Sequence, residues 1–149
     1  MQKVSEIMSE NVVTVSEDTA VTEAARMLME NHFNGLPVVD ENNVLQGIIC
    51  QSDIIAQQKK FPMPTFFTLF DGIISFTSTS HLEKEIQKIS AITVGQAMTQ
   101  NPVTVTPDSN LEEIAELMVN KNYHTIPVVE GKKLVGIVGK EDILKTLTK

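Results

Sequence analysis

The sequence predicts an α/β protein made of two pseudo-symmetric β-α-β-β-α units packed into one module. Three observations predict it. The chain repeats itself at a shift of ninety residues; each copy carries one stretch with helical apolar spacing; and each carries two β-branched runs separated by a polar turn.

The shift lays VSEIMSENVVTVSEDTAVTEAARMLMENHFNGLPVVD, residues 4–40, on VGQAMTQNPVTVTPDSNLEEIAELMVNKNYHTIPVVE, residues 94–130. Met8 meets Met98, Asn11 meets Asn101, and Pro37-Val38-Val39 meets Pro127-Val128-Val129. Deleting one residue in the next turn keeps the register to GIICQSDI, residues 47–54, and GIVGKEDI, residues 136–143. So ordered a match is an internal duplication.

Each copy opens on a short extended segment, VVTV or PVTV, and a helix follows. Val21, Ala24, Ala25 and Leu28 in the first copy, and Leu111, Ile114, Ala115 and Met118 in the second, recur at i, i+3, i+4, i+7 and give each helix one apolar face. Thr19 is the expected cap of the first helix, and Ser109 with Glu112 has capping-box spacing before the second. LPVVD and IPVVE are β-branched and follow a residue that proline biases toward extended geometry, so they predict strands. The turns DENN and EGKK lead to second strands, VLQGIIC and LVGIVG, and closing helices open at SDII and EDIL. A unit of some fifty residues is marginal alone, so the two copies are expected to share a core. The expected organisation is a first repeat at 1–58, a connection at 59–93 and a second repeat at 94–149.

The connection is too apolar for a flexible linker. It holds five of the six phenylalanines, Phe61, Phe66, Phe67, Phe70 and Phe76. Ser80 and Glu83 then have capping-box spacing, and Leu82, Ile86 and Ile89 form a helical stripe. An oligomer or partner interface is expected over 61–76, with packing back onto the module as the alternative.

Composition excludes several function classes. The net charge of -7 and a single arginine, Arg26, argue against binding nucleic acid, which needs clustered Lys and Arg. The charge is uneven: residues 1–58 hold two cations against nine carboxylates, and residues 94–149 six against seven. The chain is 42% apolar, with no apolar run near the roughly 20 residues of a membrane span and no export signal at MQKVSEIMSE. A soluble, cytoplasmic protein is expected. A single cysteine, Cys50, makes no internal disulfide and has no companions for a zinc site. His32, His81 and His124 form no metal-ligand cluster, and neither a Ser-His-Asp arrangement nor a nucleotide-hydrolysing Gly-rich loop is present, so no enzyme is expected.

The paired MSENVVTV and MTQNPVTV openings, the LPVVD and IPVVE strands and the G-h-h-x-x-x-D-[IL] endings, where h is apolar, resemble the cystathionine β-synthase (CBS) domain, in the tandem pair called a Bateman module. The resemblance implies a regulatory module that binds AMP, ADP, ATP or S-adenosylmethionine in clefts between the copies, with pairing into homodimers. It implies that Asp53 and Asp142 accept hydrogen bonds from ribose hydroxyls, a task suited to two acceptor oxygens; capping of the closing helix is the competing role. It further places Asn11 and Val13 with Asp142, and Asn101 and Val103 with Asp53. Asn34, Gly35, Leu36, His124, Thr125 and Ile126, just before or at the start of the LPVV and IPVV strands, are implied to line the clefts. The family's usual Thr or Ser three residues before the aspartate is Cys50 or Gly139 here, so both hydroxyls are missing. Gly139 leaves backbone N–H groups open to an anion and Lys140 adds charge, making the Asp142 end the more phosphate-tolerant. A structural dimerisation module with empty clefts is the alternative function.

Overall fold

A computed structural model describes residues 2–59 and 92–148. The expectations for 61–76 and 80–89 fall outside these residues. In the first copy, α1 (Val4–Ile7) precedes α2 (Val21–Asn31), β1 (Gly35–Val39), β2 (Leu45–Cys50) and α3 (Gln51–Ile55). In the second, α4 (Val94–Ala97) and the two-residue β3 (Thr99–Gln100) precede α5 (Leu111–Asn120), β4 (Thr125–Glu130), β5 (Lys133–Gly139) and α6 (Lys140–Thr146). Helices and antiparallel strands alternate as the repeat predicts.

Each copy is built on one hairpin. Leu36 faces Ile49 and Val38 faces Gly47 across β1 and β2, as Ile126 faces Val138 and Val128 faces Gly136 across β4 and β5. Both hairpins shift register at the same place, after Val38 and after Val128. The VTV segments add alongside in parallel, Val15 next to Val38 and Val105 next to Val128.

The opening segments are exchanged. The amide of Val4 donates to Ser109 O at 2.8 Å and that of Leu111 to Gln2 O at 3.2 Å, tying the first opening to the second copy's helix. The mirror pair is Val94 N–H to Thr19 O at 2.7 Å and Val21 N–H to Ile92 O at 2.9 Å. Farther along, Ser9 and Ile137 exchange both backbone bonds, and β3 pairs with β2 through Thr99 and Ile48. Each segment thus supplies a carbonyl to the first N–H of the other copy's helix, a group no residue of that helix can satisfy.

Burial follows the exchange. Val94 is fully buried in the first core with Val21, Leu28, Leu36 and Ile49, whereas Val4 is fully buried in the second with Ile114, Ile126, Val128 and Val138. The expected apolar face of α2 is buried at Val21, Ala24, Ala25 and Leu28. That of α5 departs from expectation: Ile114 is buried, Leu111 and Met118 are half-buried, and Ala115 is exposed. The expected caps are corrected as well. Thr19 Oγ1 accepts from Ser16 N–H and Ser109 Oγ from Thr106 N–H, so both hydroxyls close the turn before the helix instead of capping it. The cap positions fall one residue later, on Ala20, which has no side-chain acceptor, and on Asn110, whose Oδ1 takes the Glu113 N–H at 3.0 Å. Among the described residues no helix is long and apolar enough to cross a membrane.

Candidate functional site

The chain crosses from one copy to the other between the exchanged contact at Ser9 and the parallel contact at Val15, and again between Thr99 and Val105. Beside each crossing lies a cleft walled by both copies. One, of about 240 Å³, brings Asn11, Val13, Asn34, Gly35 and Leu36 of the first copy to Thr125, Gly139, Lys140 and Asp142 of the second. The other, of about 470 Å³, brings Cys50 and Asp53 to Asn101, Val103, His124 and Thr125, and again to Asn34. Asn11 and Val13 thus line one cleft with Asp142, and Asn101 and Val103 line the other with Asp53, the grouping that the family resemblance implies.

Ile126 is the exception. It lines neither cleft and is fully buried in the second core. Strand alternation explains this: in β4 the residue following Thr125 turns to the opposite face of the hairpin. Leu36 is almost fully buried in the first core, yet it also lines the Asp142 cleft.

The two carboxylates are held in matching fashion. Asp142 Oδ2 accepts the Gly139 N–H at 2.7 Å and its Oδ1 the Ser9 hydroxyl at 3.1 Å. Asp53 Oδ2 accepts the Cys50 N–H at 2.8 Å and its Oδ1 the Thr99 hydroxyl at 2.9 Å. Each aspartate therefore caps its closing helix, as the competing reading held. Capping does not use it up: a carboxylate offers about four acceptor sites, and two remain on each. Both side chains are half-buried, so these lone pairs are neither sealed off nor fully solvated.

Charge separates the clefts. Lys140 and Lys145 line the Asp142 cleft along with Glu141 and the exposed His32, which ends α2 in the left-handed conformation. At the Asp53 cleft, burial pushes the Cys50 thiol up to about 11, and the neighbouring Asp53 charge adds to the shift. Tyr123 and His124 stand on its far wall. His124 Nδ1 is buried with no hydrogen-bond partner among the described residues. Sequence reasoning missed Ser9, Thr99, Lys145 and Tyr123 as wall residues. The duplication itself held the signal for the first two, since each follows the repeated Met.

Two copies that trade opening segments and enclose a pair of equivalent clefts make a tandem module of the Bateman type. The chain belongs to the CBS domain family, whose model matches residues 4–60 and 94–149. It is 32% identical over 139 residues to the chloroplastic CBS domain-containing protein CBSX2 of Arabidopsis thaliana, covering 91% of this chain and 58% of that protein. The chain thus spans little more than half the length of that relative. A crystal structure of CBSX2 in complex with AMP superposes with a TM-score of 0.74 at 26% identity, covering 99% of this chain and 97% of that one. The CBS domain pair of protein MJ0100, in complex with 5′-methylthioadenosine and S-adenosyl-L-methionine, gives a TM-score of 0.70 at 28% identity, covering 99% and 97%.

Proposed function

We propose that the chain is a non-enzymatic regulatory module that binds adenosine-containing ligands in its two clefts and signals by a change in the packing of the copies or of paired chains. The observation that carries this reading is the equivalent placement of Asp53 and Asp142, each at the junction of the copies with acceptor capacity left over. AMP in CBSX2, and 5′-methylthioadenosine with S-adenosylmethionine in MJ0100, support the adenosine class. A ligand bridging the two copies alters the contact that the exchanged segments set, which gives binding a mechanical output. The Asp142 cleft is the preferred site for phosphate-bearing ligands, because Lys140 and Lys145 supply cations there. Cytoplasmic residence and a homodimer belong to the same proposal. Val119, Leu144 and Leu147, at 79%, 57% and 77% exposure, are apolar surface that a second copy would cover.

A thermal-shift screen of AMP, ADP, ATP and S-adenosylmethionine on protein stripped of ligand tests the reading, with calorimetry on any hit. A ligand at about a hundred times its dissociation constant stabilises the fold by roughly 2.7 kcal/mol. No melting shift and no heat with any of the four would leave the structural dimerisation module as the better account.

A further inference from the structure

We infer that Ser9 and Thr99 are positioning residues for ribose recognition, which makes each cleft select a cis-diol sugar through a hydroxyl lent by the opposite copy. The inference rests on the proposed adenosine reading.

The two contacts recur without help from local sequence. Ser9 reaches Asp142 across 133 residues and Thr99 reaches Asp53 across 46. Both hydroxyls bind the Oδ1 atom, and in both copies Oδ2 is taken by the N–H three residues earlier. Two donors from two directions fix both the tilt and the rotation of a carboxylate; a single backbone donor leaves it free to turn about that bond. Once fixed, each oxygen keeps one acceptor site, and a vicinal diol presents two O–H donors on neighbouring carbons. The serine or threonine oxygen also keeps acceptor lone pairs while it donates. The polar edge offered to a sugar is therefore Oδ1, Oδ2 and a hydroxyl together. Ser9 and Thr99 both line the clefts in question. They restore a hydroxyl beside each aspartate, although the repeated string has none at Cys50 or Gly139.

Calorimetry with AMP and 2′,3′-dideoxy-AMP on Ser9→Ala, Ser9→Thr and the unaltered protein tests the role. Removing one hydrogen-bonding hydroxyl is expected to weaken AMP by about three- to tenfold. It should leave dideoxy-AMP within about twofold, and Ser9→Thr should restore the AMP value. Thr99→Val against Thr99→Ser repeats the comparison at the Asp53 cleft, with circular dichroism confirming that each variant is folded. Equal weakening of AMP and dideoxy-AMP would assign Ser9 a merely structural role and overturn the inference, as would no weakening of either. An unaltered protein that binds no AMP sinks the adenosine reading itself, and the sugar role with it; binding that ignores Ser9 and Thr99 sinks only the sugar role.

Discussion

Met8 lies directly over Gly136: a Cβ built on that glycine would stand 2.5 Å from Met8 Sδ and 3.1 Å from Ser9 O. The second copy has the same relationship in mirror form, because a Cβ on Gly47 would stand 2.6 Å from Thr99 O and 2.8 Å from Met98 Sδ. The glycine that begins GIICQSDI and GIVGKEDI is thus the place where the other copy's opening strand crosses the hairpin. Overpacking such a contact typically costs about 1–3 kcal/mol. Gly47→Ala should cost more than Gly136→Ala, because it strikes a backbone oxygen whereas Met8 is a flexible thioether that can move aside. Chemical denaturation of the two variants checks the order, and equal midpoints would refute it.

Asp142→Ala should weaken a phosphate-bearing ligand by more than tenfold, because a hydrogen bond to a charged group is worth about 1.5–3 kcal/mol. Asp53→Ala should be milder toward the same ligand. Calorimetry with ATP decides between them, and equal losses or the reverse order would overturn the assignment of phosphate to the Asp142 cleft.

Lys145→Gln separates charge from shape. The side chain is exposed, so screening limits its contribution, and exposed ion pairs give about 0.2–1 kcal/mol. ATP affinity should fall roughly two- to fivefold at low salt, with the difference shrinking as salt rises and adenosine unaffected. An equal loss for adenosine would place Lys145 outside phosphate recognition.

Cys50 should be a sluggish nucleophile at neutral pH. Its thiol is raised to about 11 from an ordinary 9.0 by burial and then by the Asp53 charge, so only about one molecule in ten thousand carries the thiolate at pH 7. Alkylation by iodoacetamide should speed up about tenfold per pH unit through pH 9. Because the folded value is raised, the contribution of the neutral thiol to stability is complete below pH 9.0 and is lost as pH rises through about 11. A bound ligand in the Asp53 cleft should slow the alkylation; a rate already at its plateau at pH 7 would contradict the raised value.

The hairpins and helices were legible because duplication wrote each pattern twice: Pro37-Val38-Val39 and Pro127-Val128-Val129 are both strands. The pairing of Asn11 with Asp142 and of Asn101 with Asp53 came through the family resemblance, and the geometry has the same pairs. The caps were misplaced by one residue because a Ser or Thr hydroxyl can close a preceding turn as readily as a helix, and Ser16 and Thr106 offer the N–H for it. The exchange of Val4 and Val94 leaves no periodicity to read, since the partner carbonyls belong to Ser109 and Thr19. The hydroxyls of Ser9 and Thr99 recur after the repeated Met, but their partners, Asp142 and Asp53, lie in the other copy, so the repeat alone does not show the contact. Ala115 keeps the spacing of a buried face yet is exposed.

The traded opening segments also set an order of assembly during synthesis. The first copy's core needs Val94, and its helix needs the carbonyl of Ile92, so that core stays unfinished while the ribosome makes the more than thirty residues beyond Lys59. At a translation rate of about 5–20 residues per second, the wait is on the order of seconds, long compared with helix formation. Val4 waits longer still, because its slot among Ile114, Ile126 and Val138 closes only when the second hairpin has emerged. A ribosome-stalled chain ending near residue 60 should therefore be protease-sensitive and dependent on chaperones, one extended past β3 should protect the first copy, and only one extended past β5 should protect both.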